Sequence, residues 1–165
     1  MDPLFELALT VKAAQRALEQ LTNEAMKPLG VTGPQADAIT VIGQAGPLSL
    51  KELGELLIAE AGHPSRLVDR LVEAGLVERR TAGDDRRRVE LVLSPKGRRL
   101  EKRILGVREQ IRELAIEVLG GRDIEPTLEL LRHMLQVSPL AQVIERRREL
   151  FGPEEATPRG RRKLP

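Results

Sequence analysis

The stretch from Leu48 to Gly97, LSLKELGELLIAEAGHPSRLVDRLVEAGLVERRTAGDDRRRVELVLSPKG, changes its hydrophobic period part-way, and this limits the folds open to the chain. Its first half repeats as a helix does. Ser49 followed by Glu52 is a capping box: the Ser hydroxyl accepts from the Glu52 backbone N–H, and the Glu carboxylate reaches back to the N-cap N–H. Leu53, Leu56 and Leu57 then recur at helical spacing. The pattern breaks around Ala59–Gly62. Pro64 suits a first helical turn, where a missing N–H is tolerated. Leu67, Val68, Leu71 and Val72 give the second helix its buried stripe, and Gly75 supplies a left-handed stop. His63, Ser65, Arg66, Asp69, Arg70 and Glu73 are left on the outer face.

After Gly75 the period falls to that of strands. Leu76-Val77-Glu78-Arg79 and Val89-Glu90-Leu91-Val92-Leu93 read as a hairpin, with Val89, Leu91 and Leu93 on one face. Leu48 is a candidate for a short third strand. Thr81-Ala82-Gly83-Asp84-Asp85 and then Arg86-Arg87-Arg88 lie between the main strands. From Leu76 to Arg99 there are eight cations (Arg79, Arg80, Arg86, Arg87, Arg88, Lys96, Arg98, Arg99) against four anions (Glu78, Asp84, Asp85, Glu90). The local net is therefore +4, whereas the whole chain carries only +2. Two short helices joined tightly make a helix-turn-helix, whose second helix commonly enters the DNA major groove N-terminus first. A cationic hairpin beside it is the footprint expected of a phosphate-binding wing.

The same residues carry a resemblance. Leu53 to Leu71, then Gly75-Leu76-Val77-Glu78-Arg79, Asp85-Arg86-Arg87 and Leu93-Ser94-Pro95-Lys96-Gly97, resemble the MarR family of winged helix-turn-helix regulators. One departure is Ile58, where the family's turn often carries Gly. The resemblance implies a homodimer on pseudo-palindromic operator DNA, usually a repressor released by a small molecule. It also associates the arginine matching Arg87 with the minor groove, and an aspartate matching Asp69 with holding it. Asp69 is thus the expected wing-orienting residue, paired with Arg87.

The flanks are helical. Asp2-Pro3 starts a helix in which Leu4, Leu7, Val11, Ala14, Leu18, Leu21 and Ala25 form a heptad seam, and Pro28 and Gly30 end it. Thr32 and Gln35 form another capping box, opening a scaffold helix that Gly46-Pro47 stops. Ser94-Pro95 starts a second long helix, with Leu100, Ile104, Val107, Ile111, Leu114 and Val118 in a matching seam that Gly120-Gly121 ends. Further helices follow over Asp123–Gln136 and Leu140–Phe151, separated by Ser138-Pro139. Beyond Gly152 the basic residues Arg159, Arg161, Arg162 and Lys163 have no apolar pattern, the mark of a flexible basic tail. The two seams are expected to pair subunits, the alternative being a helical hairpin within one chain.

Several chemistries lack their residues. The chain has no cysteine, hence no disulfide, thiolate metal site or thiol redox switch. His63 and His133 lie far apart without a nearby carboxylate motif, so no metal site is expected. No Gly-rich phosphate loop or nucleophile–base arrangement is present, so an enzyme is not expected, nor a cofactor. With only two aromatic residues, Phe5 and Phe151, a stacking platform for single strands is not expected either. There is no apolar run of about 18 residues and no secretory leader. The expectation is a cytoplasmic protein without a membrane partner.

These readings combine into one expectation. The fold is mainly α with a small β wing (α+β), a winged helix-turn-helix over residues 31–97. Long dimerisation helices flank it over 1–30 and 98–151, and a flexible tail follows over 152–165. The recognition helix spans about 63–74 and the wing about 79–90. Arg66 is the first candidate for a base or phosphate contact, because guanidinium can bind guanine O6 and N7 together; a surface salt bridge to Glu73 or Asp69 is its alternative. His63 and Ser65 lie at the first turn, to meet DNA or to cap the helix. Arg70 is placed on backbone phosphate. Arg86 and Arg88 alternate with Arg87 across the strand, and all three are candidate DNA contacts. The expected function is a sequence-specific double-stranded DNA-binding regulator, a homodimeric repressor with a small-molecule effector. A low-specificity architectural DNA-binding protein and a helical protein-interaction module are the rivals.

Overall fold

A computed structural model describes residues 1–58, 64–81 and 89–152. Helix α1 spans Pro3–Met26 and runs into a 3-10 turn at Lys27–Leu29. Then come α2 (Gly33–Ala45), α3 (Leu50–Leu56), α4 (Pro64–Glu73), β1 (Val77–Thr81), β2 (Val89–Leu93), α5 (Pro95–Leu119), α6 (Glu125–Leu135) and α7 (Leu140–Phe151).

The helix ends follow local chemistry. Asp2 Oδ1 accepts from the backbone N–H groups of Leu4 and Phe5, and Pro3 needs no such partner. Both capping boxes form, Thr32 with Gln35 on α2 and Ser49 with Glu52 on α3. Gly75, at φ +66°, ends α4. Its N–H donates to Val72 O at 2.8 Å while the Leu76 N–H reaches Leu71 O at 2.9 Å, the paired bonds of a Schellman stop. Helix α3 is shorter than its leucine spacing suggests. Leu57 is already extended (φ −90°, ψ 134°), yet it stays buried with the helix stripe.

The strands pair antiparallel, with Val77 opposite Leu93, Arg79 opposite Leu91 and Thr81 opposite Val89. Leu48 adds a single bridge on the other side of β2: its N–H donates to Leu91 O at 3.2 Å, and the Leu91 N–H returns to Leu48 O at 2.7 Å. On the inner face Leu91 and Leu93 are buried, while Val89 remains 49% exposed. The hairpin therefore leaves the core as it approaches its tip.

One apolar core joins α2, α3, α4, the inner face of the wing and the first half of α5. Met26, Ile39, Leu53, Val68, Leu71, Leu91 and Ile104 lie at its centre, and it continues past Gly97 through Leu100 and Ile104. The start of α5 is fitted tightly against the end of α4. Ser94 caps α5 by accepting from the Gly97 N–H at 2.9 Å, and its hydroxyl donates to Gly75 O at 2.7 Å. A Cβ at Gly97 would overlap the Leu76 carbonyl, so the close approach needs glycine.

The long helices differ along their lengths. The α5 seam is buried at Leu100 and Ile104, but Val118 is 71% exposed and Leu114 is also exposed. On α1, Leu4, Leu18 and Leu21 are exposed, Leu18 to 61%. These apolar stripes face away from the core. Helices α6 and α7 bury no residue fully; arginines of α7 bind α3, and Phe151 at its end packs against the core. Among the described residues, no helix is long and apolar enough to cross a membrane.

Candidate nucleic-acid interface

Helix α4 has two chemically opposite faces. Val68 and Leu71 are fully buried, with Leu67 and Val72 packed at the edge of the core. That stripe seats the helix on α2 and α3 and leaves the rest of its surface outward. Arg66 and Arg70 are exposed there, one turn apart, and make no hydrogen bond or ion pair among the described residues. The surface salt bridge weighed for Arg66 is not formed with Asp69 or Glu73. Ser65 is half-buried in the first turn beside Pro64. His63 lies outside the described residues, as do Arg86, Arg87 and Arg88.

Asp69 is engaged by Arg79. Arg79 Nη2 donates to Asp69 Oδ1 at 2.6 Å, tying the outer face of α4 to the first wing strand. The expected partner, Arg87, is outside the described residues. In sequence Arg79 has no role beyond its charge, yet strand alternation carries the signal. It shares a face with buried Val77 and stands opposite buried Leu91, so its charge is turned toward α4.

Other cations of the hairpin have local duties. Arg80 donates to Glu78 Oε2 through Nε and Nη2, the latter at 2.7 Å. Lys96 Nζ donates to Ala74 O at 2.9 Å, capping the end of α4, and Arg98 Nη1 donates to Leu93 O at 2.7 Å. The local excess of positive charge is therefore partly spent on holding the wing and α5 against α4. Arg99 makes no hydrogen bond or ion pair among the described residues.

Below this surface, the Glu101 carboxylate of α5 lies against Gly43 of α2, where a Cβ would overlap it. Burial pushes its pKa above the usual carboxylate range, against the opposing pull of Arg98 and Lys102. Among the described residues no group of three or more metal-ligating side chains is assembled.

A helix that presents two exposed arginines, braced through Asp69 to a two-stranded wing and carried on long flanking helices, defines a winged helix-turn-helix regulator. The model of the MarR family matches residues 29–88. The chain is 33% identical over 96 residues to the multiple antibiotic resistance protein MarR of Salmonella typhimurium, covering 58% of this chain and 67% of that protein. It is 23% identical over 131 residues to the organic hydroperoxide resistance transcriptional regulator of Bacillus subtilis, covering 79% of this chain and 88% of the relative. Among solved structures, a mutant MarR from E. coli complexed with operator DNA is similar at TM-score 0.67 and 26% identity, over 81% of this chain and 95% of that one. The fold also matches the S. aureus MepR-DNA complex at TM-score 0.69 and 16% identity, over 79% and 96% of the two chains. The chain belongs to the MarR family, whose members are transcriptional regulators and not enzymes.

Proposed function

We propose that this chain is a homodimeric, sequence-specific duplex-DNA-binding repressor of the cytoplasm, released by a small-molecule effector. The observation that carries the reading is the state of α4. Its apolar stripe is buried, while Arg66 and Arg70 stand exposed, with no partner among the described residues, beside a wing held by the Arg79–Asp69 pair. Helix α4 enters the major groove. Arg66 reads a base edge or a phosphate, Arg70 binds phosphate, and Ser65 and His63 approach the backbone. The wing enters the neighbouring minor groove with Arg87, where a narrow A·T-rich tract favours an inserted arginine, and Arg86 and Arg88 are further DNA contacts.

Residues 31–97 act as the reading unit, with 1–30 and 98–151 pairing two subunits and 152–165 as a basic tail. The exposed apolar stripes of α1 and the distal half of α5 support this pairing. Two-fold symmetry sets recognition helices about 34–36 Å apart, on successive major-groove faces. The MarR neighbour complexed with operator DNA supports binding to DNA. An effector acts by binding more tightly to one spacing of the paired helices than to the other.

The test is selection of duplexes from a random pool, followed by affinity measurements on selected and random DNA at one fixed salt concentration. A selected-to-random ratio well above one is expected. A ratio near one would replace this reading with an architectural DNA-binding protein. Charge reversal at Arg66 and Arg87 should abolish binding; retained binding would favour the protein-interaction reading.

A further inference from the structure

Three helices meet at one carboxylate, and a fourth is bound by one of the arginines that hold it. Asp37, on α2, accepts from Arg147 of α7 at both oxygens: Nη2 to Oδ2 at 2.6 Å and Nη1 to Oδ1 at 3.3 Å. Arg108 of α5 adds a third bond, Nη2 to Oδ1 at 3.1 Å. The remaining donor direction of Arg147 is also used, since Nε donates to Leu56 O at 2.6 Å. Leu56 is the last residue of α3, and Leu57 turns extended directly after it, so that carbonyl would otherwise lie at an open helix end. A cation there also faces the negative end of the helix dipole. The neighbouring Arg146 pairs with Glu55, so two consecutive residues of α7 grip the last turn of α3.

We propose that Arg147 is a positioning residue, fixing α3, and through α3 the reading helix α4, relative to the α5 shaft. The inference rests on the DNA-reading role proposed above. Leu53 and Leu56 of α3 share one core with Val68 and Leu71 of α4, so α4 follows any rotation of α3. A planar guanidinium with three committed directions fixes an angle, which a lone charge cannot. Stability is a lesser part of its work. The Arg147 and Asp37 side chains are 21% and 25% exposed, so water can replace the lost bonds, and Arg108 still holds Asp37.

The test compares the full chain with R147Q and R147K. The protein has no cysteine, so Glu73→Cys on α4 and Glu117→Cys on distal α5 supply the only two thiols for spin labels. Labelled chains are diluted into excess unlabelled chain, which restricts the reading to distances within one subunit. Both Arg147 variants should broaden the label-to-label distance distribution and weaken binding of the selected duplex on the order of tenfold, with thermal midpoints within about 4 °C of the parent. An unchanged distribution in both variants would overturn the proposal. So would full rescue of binding by R147K, since charge alone would then suffice. If R147Q fails to fold, R147K decides alone by the same two criteria. Broadening in a protein whose parent prefers no duplex would leave the brace standing and reject the DNA-reading role instead.

Discussion

Asp69 and Arg79 join the recognition helix to the wing through a 2.6 Å bond between Oδ1 and Nη2. Both side chains are roughly half-exposed, so the pair adds only about 0.2–1 kcal/mol to stability. Its value lies in aiming one element against the other. In a double-mutant cycle of Asp69→Ala and Arg79→Ala, thermal midpoints should move little. Duplex affinity should fall by less in the double variant than the two single losses predict. Additive losses in affinity would show that the two residues act separately.

Arg66 and Arg70 are expected to behave differently, although both are exposed on α4. Arg66→Ala should cost about 1–3 kcal/mol on the selected duplex and relax preference at one base position. Arg70→Ala should weaken selected and random duplexes alike and reduce the slope of log K against log salt by about one. Titrations at several salt concentrations separate the two.

Ser94 and Gly97 hold the junction between α4 and α5. Ser94→Ala removes an N-cap and leaves Gly75 O without its 2.7 Å partner, which should cost about 1–3 kcal/mol in denaturant unfolding. Gly97→Ala should be comparably or more harmful, because the obstructing atom is the Leu76 backbone carbonyl and cannot swing aside.

The raised pKa of Glu101 makes stability depend on pH with a defined sign. The folded chain holds this proton more tightly than the unfolded chain. The resulting contribution is complete below the unfolded-state pKa and disappears as pH rises through the folded-state value. Above that value the site holds a half-buried charge. Glu101→Gln should raise the midpoint of urea unfolding there, and the advantage over the parent should shrink as the solution is acidified.

The apolar stripes on α1 and distal α5 give an oligomerisation test. Leu18→Glu places a charge in the middle of the α1 seam, at a side chain already 61% exposed in the single subunit. Sedimentation should show a shift from dimer toward monomer without loss of helical signal. A parent that sediments as a monomer would instead leave the seams without a partner.

Local signals are legible because each acts within a few residues. Thr32 with Gln35, Ser49 with Glu52, and Asp2 with Pro3 announce helix starts through hydrogen bonds that span three residues or fewer. Gly75 at φ +66° announces a stop by the backbone angle it alone adopts cheaply. The seams were legible as apolar repeats, but not which half would be covered: burial at Ile104 and exposure at Val118 depend on where α2 lies. Contacts between distant segments left no local trace. Arg147 meets Leu56 across 91 positions and Asp37 across 110, and in sequence it is one more arginine on a charged helix. Arg79 lies between these cases, since alternation gives its face and only the packed α4 gives its partner.

The Leu48 bridge bears on how the molecule answers its ligand. Leu48 is bonded to Leu91 in both directions, and the next residue, Ser49, is the cap that starts α3. Hinge freedom between these two elements is thus confined to a single peptide. Torque applied to the strands on DNA binding would be passed directly to the foot of α3.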